Sequence, residues 1–249
     1  MSIRSIAAFL LVAVLALGGC VQLESHAVLN KDGSGTYTFR VSMSQEVEQA
    51  LQELKDLDGS ASSDMEDVPD FTTIDRDKLE QAFKGHDCKL KSFSNEVADG
   101  KRTVEAVVEF KNLDGLQAAI TGLTEEGKSY GIFRGSDGNY VLKMVELPAS
   151  EEESEVEEEQ EQPEDMQKAM ENASKAMAIM GKLMAHANEL SVTNSITFPS
   201  DVISHNGTRI DGRTVYWEMN SSNMMGGMDM DPNVVFSGKG VKLDVPALD

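Results

Sequence analysis

The sequence predicts an α+β fold in which antiparallel β-hairpins form a sheet with helices packed on one face, plus one long Met-rich helix and an acidic linker. Three observations predict it. Paired segments with period-two alternation flank glycine turns, as where Tyr37, Phe39 and Val41 alternate with Thr38 and Arg40 after Lys31-Asp32-Gly33-Ser34-Gly35. Segments of helical spacing separate these pairs, in the order strand-strand-helix-strand-strand-helix-strand-strand. A chain of 249 residues, 40% hydrophobic, is long enough to bury a core in one domain or two small ones.

Along the chain, residues 21–29 and 36–43 read as the first hairpin. Ser44 is a good N-cap for a helix to about residue 57, with Val47, Leu51 and Leu54 at helical spacing. A polar loop, DGSASSDMEDVP, leads to a shorter helix over residues 75–83. Residues 88–97, the Asp99-Gly100 turn and residues 103–110 form the next hairpin, with Val104, Ala106, Val108 and Phe110 on one face. A helix over 113–123 follows. Residues 129–134 and 140–147 flank Asp137-Gly138-Asn139, a sequence that tolerates the positive φ of tight turns.

Residues 148–165 break the pattern. The run EEESEVEEEQEQPED repels itself and stays solvated, which reads as a linker; its functional alternative is a diffuse binder of divalent cations, with no ligand cage specified. Residues 166–190 form the clearest helix. Met166, Met170, Ala173, Met177, Met180, Met184 and Ala187 make a heptad stripe, read as a face packed on the protein's own sheet, with a partner helix or lipid chain as the alternative. Short strands at 191–198, 202–204, 209–210 and 214–219, then a final strand over 234–245, close the chain. The expected organisation is a cleaved leader (1–19), a first ectodomain part (20–147), the acidic linker (148–165), and the long helix with a β-rich second part (166–249).

The N-terminus sets the compartment. Arg4 precedes an apolar run over residues 6–17, shorter than the roughly 20 residues a spanning helix needs and suited to a signal peptide. Leu17-Gly18-Gly19-Cys20 then matches a lipobox: cleavage after Gly19 would free Cys20, whose thiol accepts a diacylglyceryl group. One acyl chain holds a protein marginally, and two or three hold it firmly. The expected location is the bacterial cell envelope, with the membrane reached through that anchor. Val21 rather than Asp after the cysteine favours the outer membrane in a Gram-negative source. With Cys20 acylated, Cys88 has no intramolecular disulfide partner.

Charge narrows the partners. With 22 Lys and Arg against 43 Asp and Glu, the net charge is −21, which argues against nucleic acid and against electrostatic docking on anionic lipid. Two constellations carry conceivable chemistry. Met219, Met224, Met225, Met228 and Met230 lie within MNSSNMMGGMDMD; thioethers are soft ligands suited to Cu(I), and the plainer reading is a hairpin loop. His86-Asp87-Cys88 holds an imidazole near a thiol, and the plainer reading is a structural cysteine. Asn30-x-Asp32-x-Ser34-Gly35 begins like a calcium loop, but Val41 stands where a bidentate Glu is required. Trp217 reads as a core anchor.

The lipobox followed by LNKDGSGTYTFRVSMS, then VEFKNLDGL, then SVTNSITFPSDVISHNGTRIDGRTVYWEMN resembles the LppM-type bacterial envelope lipoproteins over roughly residues 20–220. The resemblance implies a β-rich α+β ectodomain on a lipid anchor, without catalytic residues, and a connection with envelope lipids and surface interactions. Many such proteins carry a C-terminal transmembrane helix where this chain reads VKLDVPALD; the glutamate run and the Met-rich loop are further departures. The function expected is therefore non-enzymatic binding or scaffolding by a lipid-anchored envelope protein, with an envelope protein or lipid as partner and no cofactor. Its alternatives are Cu(I) binding by the Met-rich loop and thiol-dependent catalysis by Cys88.

Overall fold

The computed structural model describes residues 21–56, 74–124, 128–146, 166–185, 190–220, 223 and 231–248. The leader, the acidic linker and the Met-rich stretch 224–230 lie outside them.

Strands β1 (Val21–Leu29) and β2 (Gly35–Ser44) form the first hairpin, in register from Val21 opposite Met43 to Leu29 opposite Gly35. The turn between them is held by Asp32, whose carboxylate accepts from the Ser34 amide at 3.1 Å and hydroxyl at 2.7 Å. Ser44 ends β2 and caps helix α1 (Gln45–Lys55), accepting from the Val47 amide at 3.3 Å. Asp75 caps helix α2 (Arg76–Ala82) in the same way, at 2.8 Å from the Lys78 amide. The Ser44 cap stands where local sequence placed it, and Asp75, expected as the first residue of the second helix, is its cap.

Strands β3 (Cys88–Ala98) and β4 (Lys101–Phe110) meet at a turn in which Asp99 and Gly100 both have positive φ, 51° and 74°. Helix α3 (Leu113–Thr124) follows, then the hairpin of β5 (Lys128–Arg134) and β6 (Tyr140–Glu146). Helix α4 spans Met166–Ala185, short of the expected residue 190. The remaining strands are β7 (Leu190–Thr197), β8 (Val202–His205), β9 (Arg209–Asp211), β10 (Thr214–Asn220) and β11 (Asn233–Phe236).

Two sheets form instead of one. The larger has the order β3-β4-β2-β1-β7-β10-β9 and the smaller β5-β6-β11-β8. The larger sheet is not purely antiparallel: β1 and β7 run parallel, with Val21 opposite Leu190 and Val28 opposite Thr197. A parallel neighbour needs a crossover connection, and everything from β2 to α4 supplies it. The final strand is short because Gly238 packs against the Gly138 carbonyl and Gly240 turns at φ 72°; the chain beyond Phe236 crosses the core irregularly, burying Val241 and Leu243.

One core joins these elements. Tyr37, Phe39 and Val41 from β2 and Val104, Ala106, Val108 and Phe110 from β4 face Leu79, Phe83, Leu116, Ile120 and Leu123 of the helical side. Phe198, just past β7, packs on Phe236 of β11 with ring centroids 5.0 Å apart, tying in the second sheet. The long helix departs from its expected packing. α4 lies on α1, where Ile179, Ala176 and Leu183 meet Ala50 and Leu54 in a separate small core. Met170 and Met177 of the heptad stripe are 70% and 77% exposed rather than packed on the sheet; the side chains of its other members lie outside the described residues.

At Gly35 the backbone passes so close to the Val28 carbonyl and the Phe110 ring that a Cβ has no room, and the carbonyl cannot move without breaking the β1–β2 ladder. Gly35→Ala should therefore lower the urea midpoint, by about 1–3 kcal/mol of stability. Gly181→Ala, in open space on α4, should leave the midpoint unchanged or raise it.

Candidate functional site

The first described residue, Val21, directly follows Cys20 and opens β1, the central strand of the larger sheet. Cys20 and Gly19 themselves lie outside the described residues. Among the described residues no helix is long and apolar enough to cross a membrane.

Cys88 begins β3 and is partly exposed. Burial, and then the charge of Asp87, push its thiol above the ordinary value, which disfavours the thiolate a nucleophile needs. Asp87 is committed elsewhere. Its carboxylate accepts from Asn112 Nδ2 at 2.9 Å and pairs with Lys111 at 3.5 Å, and its carbonyl accepts from the Lys111 amide. These bonds close the loop before α3; they do not orient His86, which is exposed.

Of the five methionines proposed for copper, Met219 is on β10, opposite Val192 of β7, and the other four fall outside the described residues. Among the described residues no group of three or more His, Cys, Asp or Glu side chains is placed to hold a metal ion.

The turn motifs of the C-terminal third do structural work. Asn206 Oδ1 accepts from Trp217 Nε1 at 3.1 Å and from the Asn233 amide at 2.8 Å, while Nδ2 donates to the Asp231 carbonyl at 2.8 Å. One side chain thus satisfies the indole of a fully buried tryptophan and joins β8, β10 and β11. Arg213 donates to the Pro199 carbonyl at 2.8 Å and closes the turn before β8. On β9 and β10, Arg209 lies 3.6 Å from the centre of the Tyr216 ring and pairs with Glu218 at 3.0 Å.

A polar network that sequence reading missed crosses the β1–β7 pair. Ser25 Oγ donates to Asn194 Oδ1 at 2.7 Å on one face of the sheet. On the other, the Ser195 hydroxyl donates to the Ser25 carbonyl at 3.1 Å, so the 2.8 Å contact with His26 Nδ1 is one in which the imidazole donates. Burial holds the His26 imidazole below its ordinary value. The four residues come from segments far apart in sequence, and only the parallel pairing brings them together.

The arrangement is that of an α+β domain in which the recognisable motif residues cap helices, close turns and fill the core. The sequence model of the LppM domain matches residues 30–226, and the chain belongs to the LppM domain family. It is an LppM-type lipoprotein, as the resemblance in its sequence implied. A similar solved structure is the NMR structure of the folded domain of the Mycobacterium tuberculosis LppM protein. It shares 15% identity, covers 88% of this chain and 91% of its own, and superposes with a TM-score of 0.41. No curated protein matches the chain.

Two outcomes follow from these environments. Alkylation of Cys88 in the native protein at neutral pH should be slow compared with a free thiol and should accelerate on unfolding; fast native alkylation would restore the thiol-enzyme reading. His26 titrates lower when folded, so its stabilising contribution is complete above 6.5 and is lost as pH falls through its folded value. Urea midpoints taken on either side of pH 6.5 should drop more for the native protein than for His26→Gln, before carboxylates such as Asp32 and Glu109 begin to protonate.

Proposed function

We propose that the protein is a lipid-anchored component of the bacterial cell envelope, in which Cys20 carries a diacylglyceryl thioether and the folded domain serves binding or scaffolding rather than catalysis. The observation that carries this reading is the order of signals at the N-terminus: Arg4, the apolar run 6–17, then Leu17-Gly18-Gly19-Cys20. Membership of the LppM domain family supports it, and so does the start of folded structure at Val21, with no spacer after the cysteine. A domain without a spacer is held against the membrane surface rather than projected from it. The non-enzymatic part rests on the roles of the motif residues. Asn206, Trp217, Gly35 and Asp87 are each occupied in holding the fold, and the raised Cys88 thiol is a poor nucleophile.

Fractionation of cells expressing Cys20→Ser tests the anchor. The variant should move from the membrane to the soluble fraction while keeping its fold. Continued co-sedimentation with membranes, after a carbonate wash, would overturn the anchor.

A further inference from the structure

We propose that the outer edge of β3 is a self-association surface, where a second copy of this chain adds its own β3 antiparallel about a two-fold axis at Asn95. The inference goes beyond the anchor reading and does not depend on it.

The β3–β4 turn decides which backbone groups face that edge. Asp99 and Gly100 both have positive φ, as a two-residue type I′ hairpin requires, so the closing pair, Ala98 and Lys101, exchanges both of its hydrogen bonds. Bonded and non-bonded pairs alternate from there. Glu96 and Ser94 bond to Thr103 and Glu105, whereas Phe93, Asn95 and Val97 turn their N–H and C=O groups away from β4. Among the described residues, β3 is the longest of the four edge strands, with 11 residues against 3 in β9, 4 in β8 and 7 in β5. The end of β5 is also bound, since Arg134 bonds to Pro246 and Leu248. A long edge with free backbone groups invites another strand. The bulge between Leu90 and Ser92 interrupts only the first part of β3 and leaves residues 92–98 regular.

Self-complementarity sets the occupant. Antiparallel pairing about Asn95 matches outward groups with outward groups: Phe93 of each copy stands opposite Val97 of the other, and Asn95 stands opposite itself. Phe93 packs at the border of the core and Val97 is 47% exposed, so on the core side of the sheet each copy sets a ring beside the other's valine. The Asn95 amide at the axis is neutral and fixed. Its Oδ1 accepts from Arg102 at 2.8 Å, and its Nδ2 donates to the Ile74 carbonyl at 3.4 Å. The same register matches charge. Lys89 and Lys91 stand at one end of β3, Glu96 and Asp99 at or just past the other. The two-fold axis brings Lys91 of one copy level with Asp99 of the second copy. Lys89 and Lys91 are 73% and 56% exposed and share one carboxylate of their own chain, Glu109, at 3.2 and 2.9 Å, which leaves positive charge in excess there. A strand of another sequence would need the reverse charge order; a copy of this chain has it by symmetry. That order counts in a chain of net charge −21, whose surface as a whole repels a second copy.

Sedimentation equilibrium of the full-length protein in density-matched detergent tests this. The native chain should approach twice the mass of one chain as concentration rises. Val97→Pro removes an outward amide that the chain's own ladder does not use, a position where edge strands tolerate proline. It should raise the dissociation constant by roughly tenfold or more, through two symmetric backbone bonds lost, and leave the urea midpoint unchanged. A second variant gains a link instead of losing a contact. Ser94 and Glu96 of the second copy form a non-hydrogen-bonded pair across the axis, with Cα atoms about 4.5 Å apart. Ser94→Cys with Glu96→Cys, in a Cys88→Ser background, should therefore give a disulfide-linked dimer under mild oxidation. A native chain that stays single at every concentration would overturn the proposal, as would a Val97→Pro chain that associates like the native one, or a double-cysteine chain that oxidises without dimerising. Slow hydrogen exchange at the Phe93, Asn95 and Val97 amides at every dilution would also overturn it, since another part of the same chain would then occupy the edge.

Discussion

The structure depends on the pairing of β1 with β7. β2 joins β1 through a tight local turn, β4 returns to β2 after two helices and β3, and β10 reaches β7 from nearby in the chain, so each half of the larger sheet is drawn from one continuous stretch of sequence. Only the parallel ladder from Val21–Leu190 to Val28–Thr197 joins the halves. Because parallel strands cannot be joined by a hairpin, the intervening chain must leave the sheet and return, and it does so by building the helical cover, the second sheet's first hairpin and α4. The seam carries its own polar clasp, with Ser25 to Asn194 on one face and His26 to Ser195 on the other. Burial at that seam holds the His26 imidazole below its ordinary value.

This topology gives the proposed anchor a mechanical setting. β1 is the fourth strand of seven and begins one residue after the cysteine. A tether there pulls on a strand held by ladders on both sides, to β2 and to β7, rather than on an edge strand that can peel away. With the proposed anchor, the entry through the central strand without a spacer would limit how far the domain can swing from the lipid.

Local features were legible in the sequence, and long-range ones were not. Ser44 and Asp75 mark helix starts because a cap is satisfied within three residues, and Asp99-Gly100 marks a turn because its backbone geometry is a two-residue property. The core faces of β2 and β4 followed from strict alternation. The β1–β7 seam did not, since nothing near Val21 specifies a partner 169 residues away. Met170 and Met177 of α4 misled for a related reason. A helix can carry two apolar stripes, and the one buried is chosen by what the neighbour offers; α1 offers Ala50 and Leu54, which take Ile179 and Leu183. The expected last strand failed where Gly238 and Gly240 let the chain turn. At the candidate sites, the composition of the Cys88 neighbourhood was legible but not its electrostatics, because the commitment of Asp87 to Lys111 and Asn112 depends on the fold.

The central claim is that a thioether-linked lipid on Cys20 holds the domain by the start of its central strand. Intact-mass analysis of the protein isolated from its native membrane, with sequencing of the N-terminal peptide, tests it most directly. The account predicts a mature chain beginning at Cys20, heavier than its sequence by a diacylglyceryl group and any further acyl chain on the new amino terminus. Retention of residues 1–19, or a free thiol on an N-terminal Cys20, would contradict it.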